Sequence, residues 1–102
     1  MPKLVVINTT AVPDHVRGAL TRWMIEPTPG MYVGTLSARV RDELWQAVAG
    51  SVGDGAATIV YPHADFEQRF IIHTAGYRRR EVIDCDGLQL IAFRAENGKT
   101  LE

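Results

Sequence analysis

The chain contains a single cysteine in 102 residues, only two lysines, and no apolar run approaching a membrane span. A lone Cys85 permits no internal disulfide, so a hydrophobic core must hold the fold. A spanning helix needs about 20 consecutive apolar residues. The start, Met1-Pro2-Lys3-Leu4, runs directly into strand-like sequence and lacks the shape of a signal peptide. A cytoplasmic location is therefore expected, with no membrane among the partners. The histidines, His15, His63 and His73, are scattered, and no spacing resembles a zinc motif, so no metal ligand is assigned. Gly50, Gly53 and Gly55 do not lead from a strand into a helix, which excludes a dinucleotide-type loop. Cys85 lies between Asp84 and Asp86, which disfavour its thiolate. No catalytic residue is assigned.

What is present describes an ordinary folded domain. The apolar fraction is 46% and the charged fraction 23%. A chain of this length makes one domain with a modest core, so dimerisation would help it. Nine of the 11 basic residues are arginine, although the net charge is only -1. Arginine suits geometric recognition of phosphate or carboxylate. Codon bias would produce the same excess.

Hydrophobic periodicity orders the elements. Leu4 to Ile7 reads as a central strand buried on both faces, followed by a polar loop, Asn8 to Ala11. A helix is expected from Pro13 to Ile25, because Val16, Ala19, Leu20, Trp23 and Met24 share one face. Gly18 inside it suggests close packing on the sheet. Pro27 to Gly30 stops that helix and turns the chain into a short strand, Met31 to Gly34. Ser37 caps a second helix running to Ala49. Val40, Leu44, Ala47 and Val48 form its apolar stripe with Trp45 beside it, and Arg39, Asp42, Glu43 and Gln46 its solvated face. Strands follow at Ala57 to Tyr61 and Phe66 to Thr74, then Val82-Ile83, an Asp86-Gly87 turn, and Leu88 to Phe93.

This order predicts an α+β, ferredoxin-like sandwich: two helices on one antiparallel-rich sheet, with extra C-terminal strands. A strict version needs a hairpin between the helices. Only one strand is clear there, with a short second piece near Gly34 to Leu36. The domain is placed at residues 1–95, including C-terminal strands at 82–93, with a polar tail at 96–102.

The strongest local signal is Gly76-Tyr77-Arg78-Arg79-Arg80-Glu81. Three guanidinium groups on a loop between strands suit phosphate contacts, which give a sequence-independent grip that weakens with salt. The strands that follow are surplus to the sandwich. Their apolar residues, Val82, Ile83, Leu88, Leu90, Ile91 and Phe93, are expected to dock a partner protein. Asp84 and Asp86 would share one side of an extended segment, but a polar edge and turn explain them better than a magnesium site.

Several blocks then carry a family resemblance. They are Leu4-Val5-Val6, Val12-Pro13 with Arg17-Gly18, Gly30 to Gly34, Ser37 to Arg41, Trp45 through Ala49-Gly50, and Gly76 through Arg79-Arg80, then Asp84 and Asp86-Gly87-Leu88. Together they resemble the small CRISPR adaptation protein family Cas two, type I-E subtype, the partner of the Cas one integrase. The resemblance implies a homodimer seated between two integrase dimers, holding a captured foreign DNA duplex during spacer acquisition in antiviral defence. It implies that Arg79, Arg80 and Arg17 contact the duplex backbone, and that the strands at 82–93 dock on the integrase.

Some members of that family are metal-dependent endonucleases that use an acidic residue just after the first strand. Here that place reads Asn8-Thr9-Thr10-Ala11, which supplies no anionic ligand for Mg²⁺. The expected role is a scaffold that requires no cofactor. The alternative is an endonuclease acting on RNA or duplex DNA, with Mg²⁺ held by Asp14 or Asp65. An interaction module without a nucleic-acid role is the third possibility.

Overall fold

The computed structural model describes the backbone at residues 1–94 and 100–101 and the side chains at residues 1–92. Five strands and two helices form the body: β1 (Lys3–Thr10), α1 (Asp14–Thr21), β2 (Ile25–Thr28), β3 (Met31–Leu36), α2 (Ala38–Ala49), β4 (Ala56–Pro62) and β5 (Phe70–Ala75). Their sheet has the order β2-β3-β1-β4-β5, with every pairing antiparallel. The first four strands and both helices make the split β-α-β arrangement of a ferredoxin-like fold, and β5 extends it at one edge. A second sheet follows: β6 (Glu81–Cys85), β7 (Leu88–Arg94) and β8 (Thr100–Leu101). The α+β, ferredoxin-like expectation holds, extra C-terminal strands included.

β1 is central but buries one face only. Val5, Ile7 and Thr9 point into the core, while Leu4 is exposed. The strand also runs past its expected end. Asn8, Thr9 and Thr10 pair with Thr58, Ala57 and Ala56, and the chain turns only at Ala11, with φ 55°. Backbone pairing to β4 overrides the polar side chains there.

α1 is shorter than its apolar periodicity suggests. Pro13 is its N-cap rather than its first helical residue, and the helix ends after Thr21. Val16 and Leu20 are buried, as is Met24 just beyond the end. The lost turn leaves Trp23 exposed. Nothing lies within 4 Å of where a Cβ on Gly18 would stand, so close packing does not explain that glycine.

The missing hairpin strand precedes the Pro-Gly turn instead of following Gly34. Ile25–Thr28 forms edge strand β2, with Pro27 inside it. An edge strand tolerates proline because one row of its amides needs no partner. Gly30, at φ 86°, makes the turn, and its carbonyl accepts from the Thr9 amide at 2.6 Å. α2 begins as expected, with Ser37 Oγ accepting from the Val40 amide. Leu44 and Val48 are buried, Val40 and Trp45 pack against the core, and Ala47 is exposed.

The core lies between the sheet and the two helices. Val5, Ile7, Tyr32, Leu36, Ala57 and Ile59 from the strands meet Val16, Leu20, Leu44 and Val48 from the helices. Phe66 to Arg69 is not strand, contrary to its alternating pattern. His63 N–H donates to Arg69 O and Arg69 N–H to Phe66 O, closing a loop with Arg69 at φ 68°. The tail expected at 96–102 falls largely outside the described residues, but Thr100–Leu101 pairs with Phe93–Arg94.

Candidate nucleic-acid interface

The arginine loop, residues 76–80, is pinned to the end of the five-stranded sheet. Gly76, at φ 100°, closes β5. A Cβ there would collide with Gly55 O and stand 2.9 Å from Val52 Cγ2, so the close approach requires glycine. Gly55 has the same constraint against Thr10 O and Ala11 O. With both side chains absent, the loops before β4 and after β5 lie against each other. Tyr77 N–H donates to Gly53 O and Arg78 N–H to Gly55 O, both at 3.0 Å. Thr74 Oγ1 donates to Arg80 O at 2.9 Å.

The three guanidinium groups sit differently. Arg78 is exposed and its side chain has no hydrogen-bond or ion-pair partner among the described residues. Arg79 is half-buried. Its Nη1 donates to Gly76 O at 3.1 Å, and its Nη2 lies 3.8 Å from Glu81 Oε1. Arg80 is exposed. The loop thus presents positive charge from a backbone that is already ordered, which lowers the entropic cost of gripping a phosphate chain.

Arg17 is not part of this cluster. It lies on α1 beside edge strand β2, with Nη2 3.8 Å from Glu26 Oε1. β2 and β5 are opposite edges of the sheet, four spacings apart, or roughly 19 Å at about 4.8 Å per strand. The Tyr32 hydroxyl, and after it the Glu26 carboxylate, hold the Arg17 guanidinium above its ordinary pKa. Arg17 approaches that hydroxyl without hydrogen-bond geometry, and Tyr32 Oη is left as a buried polar atom with no bonded partner among the described residues. Asp14, Arg17, Gly18, Thr21 and Glu26 line a shallow cavity of about 320 Å³.

The β6–β7 hairpin carries the expected docking residues. Its turn, Asp86-Gly87, has φ values of 53° and 85°, the left-handed pair that matches strand twist in a two-residue hairpin. Ile83 pairs with Leu90, and Cys85 with Leu88, on one face. Val82 pairs with Ile91 on the other. Ile83, Leu88, Leu90 and Ile91 are exposed and Val82 is half-buried, so the hairpin offers apolar groups on both faces. Phe93 lies in β7, and its side chain is outside the described residues.

Two glutamines attach this hairpin to the body. Gln89 Oε1 accepts from the Ile72 amide at 2.7 Å, and Gln89 Nε2 donates to the Ile72 carbonyl at 3.2 Å. Gln68 Oε1 accepts from the Gln89 amide at 2.9 Å, and Gln68 Nε2 donates to Gln89 Oε1 at 3.0 Å. Glu26, Gln68 and Gln89 were not singled out by sequence. Their contacts to Arg17, Ile72 and each other span 9, 17 and 21 residues, and neither periodicity nor motif spacing marks them.

The end of β1 does not fit a magnesium ion. Thr9 is buried with its Oγ1 donating to Gly30 O at 3.1 Å, and Asn8 and Thr10 are neutral. Among the described residues, no three His, Cys, Asp or Glu side chains gather as a metal site.

The structure is thus a small ferredoxin-like domain with a basic loop at one sheet end and an apolar appended hairpin. The family model described as CRISPR-associated protein (Cas_Cas2CT1978) matches residues 4–90. The chain belongs to this Cas2 family. The match includes Arg17, the arginine loop and the hairpin as far as Leu90.

Proposed function

We propose that this protein is the type I-E member that partners the Cas one integrase in spacer acquisition. In this reading it is a cytoplasmic homodimer that bridges integrase dimers and holds a foreign DNA duplex. Arg78, Arg79 and Arg80, with Arg17, contact phosphates, and the hairpin residues Val82, Ile83, Leu88, Leu90, Ile91 and Phe93 face the integrase. The observation that carries the reading is the pinned loop, with Tyr77 and Arg78 amides bonded to the glycine turn at 53–55. It sets cations at the sheet end without requiring the loop to order on binding. Family membership supports the CRISPR context, and the exposed hairpin supports a protein partner. Among the described residues no helix is long and apolar enough to cross a membrane.

The test is sedimentation of the protein with its cognate integrase and a short duplex, each alone and together. A three-component species is expected, weakened at every DNA sequence when Arg78, Arg79 and Arg80 become alanine. If the protein stays free of both, the scaffold role is wrong. Reproducible Mg²⁺-dependent cleavage lost on Asp14→Ala or Asp65→Ala would establish the endonuclease instead.

A further inference from the structure

We infer that Glu26 is a built-in competitor for Arg17, so that a DNA phosphate reaches this arginine only by displacing a carboxylate. The inference rests on the duplex-holding reading above. It follows from an asymmetry in how the pair is held. Glu26 is only 21% exposed in its side chain, and its Oε2 accepts from the Gly30 amide at 2.9 Å. That bond fixes the carboxylate to the β2–β3 turn. Arg17 is 55% exposed in its side chain and meets the other oxygen at 3.8 Å. The anion is anchored by a backbone bond, whereas the guanidinium, beside the Tyr32 hydroxyl, makes no hydrogen bond among the described residues.

The surroundings leave room for the exchange. The cavity beside the pair is about 320 Å³, and Gly18 adds no side chain to it. The Glu26–Arg17 contact is loose enough to be broken: it is 3.8 Å long and its arginine is solvent-exposed, and such a pair is worth roughly two- to five-fold in an equilibrium constant. Arg79 is held otherwise. It also faces a carboxylate, Glu81, but its Nη1 is bonded to Gly76 O, so its own loop orients it. Among the described residues Arg78 has no partner to exchange.

Counterion release makes the competition measurable. A phosphate contact from an unpaired arginine steepens the salt dependence of binding by about 0.9 in log-log slope. In the native protein salt also screens the Glu26–Arg17 pair and so weakens the competitor, which offsets part of that steepening. Removing the Glu26 charge should restore it.

The experiment is a fluorescence-anisotropy titration of a short labelled duplex across a salt series. The proteins are the full chain, E26Q, R17A, the R17A/E26Q double variant, and E43Q. Glutamine keeps an oxygen for the Gly30 amide, and thermal melting checks that the turn survives. E43Q removes one charge at the exposed Arg39 pair on α2 and controls for net charge. Relative to E43Q, E26Q should bind roughly two- to five-fold tighter at low salt with a steeper slope, by up to about 0.9. Both gains should vanish when Arg17 is alanine. The inference is overturned if E26Q weakens binding as R17A does, matches E43Q, or keeps its gain without Arg17. If no form binds the duplex, or binding ignores salt, the duplex-holding reading itself fails. Binding that needs Arg78, Arg79 and Arg80 but ignores E26Q removes only the role of Glu26.

Discussion

The body and the C-terminal hairpin are both antiparallel β structure, yet they satisfy their apolar residues in opposite ways. In the body, Val5, Ile7, Tyr32 and Ile59 are almost fully buried under two helices. In the hairpin, Ile83, Leu88, Leu90 and Ile91 are each more than 40% exposed. Two strands without a covering layer are marginal alone. The body therefore carries most of the stability of the free chain, and the hairpin carries exposed apolar surface. The arginine loop joins them and is fixed to the body side.

Substitutions of similar chemistry should separate the two regions. Ile59→Ala empties a fully buried site and should cost about 2–5 kcal/mol in urea unfolding. An effect under about 1 kcal/mol would show that the core does not sit where we place it. Next is Gly76→Ala, which meets both positive φ and the Gly55 carbonyl. It should cost roughly 1–3 kcal/mol and weaken duplex binding, read by the same melt and an anisotropy titration. Unchanged binding would mean that the loop's position is irrelevant to DNA.

Gln89→Ala should cost about 1 kcal/mol, as the bonds to Ile72 are lost. Its larger signature is local. Hydrogen exchange should accelerate across β6 and β7 while β1 and β4 keep their protection. Uniform acceleration would show one cooperative unit and dissolve the contrast. The smallest stability effect, within about 0.5 kcal/mol, is expected for Leu90→Lys on the exposed hairpin face. The same variant should abolish co-sedimentation with the integrase. Retained association would move the docking surface elsewhere.

Periodicity and turn chemistry made most of the body legible. The Ser37 cap, the α2 stripe, the β4 run and the Asp86-Gly87 turn were all readable because each is local. At Pro27 and at Asn8 to Thr10 strand pairing overrides the local pattern, and at Phe66 to Arg69 a local turn does. Pro27 reads as a helix stop, yet it sits within an edge strand. Asn8 to Thr10 read as loop, yet pair with β4. Phe66 to Thr74 alternate like a single strand, yet Arg69 turns the chain through a positive φ. In the candidate site, the arginine triplet was visible as a run. The carboxylate facing Arg17 and the glutamines that tether the hairpin to β5 were not, because contacts across 9, 17 or 21 residues leave no spacing signal.

The Gln89 side chain has one more effect. Its amide presents a donor and an acceptor to the Ile72 peptide group, as a neighbouring strand would. β5 is an outer strand, and an uncovered outer strand is a template on which other chains can assemble into fibrils. By occupying that peptide group with a side chain, the molecule blocks one rung of the ladder without extending the sheet. The same glutamine that tethers the hairpin thus also occupies one rung of the exposed edge.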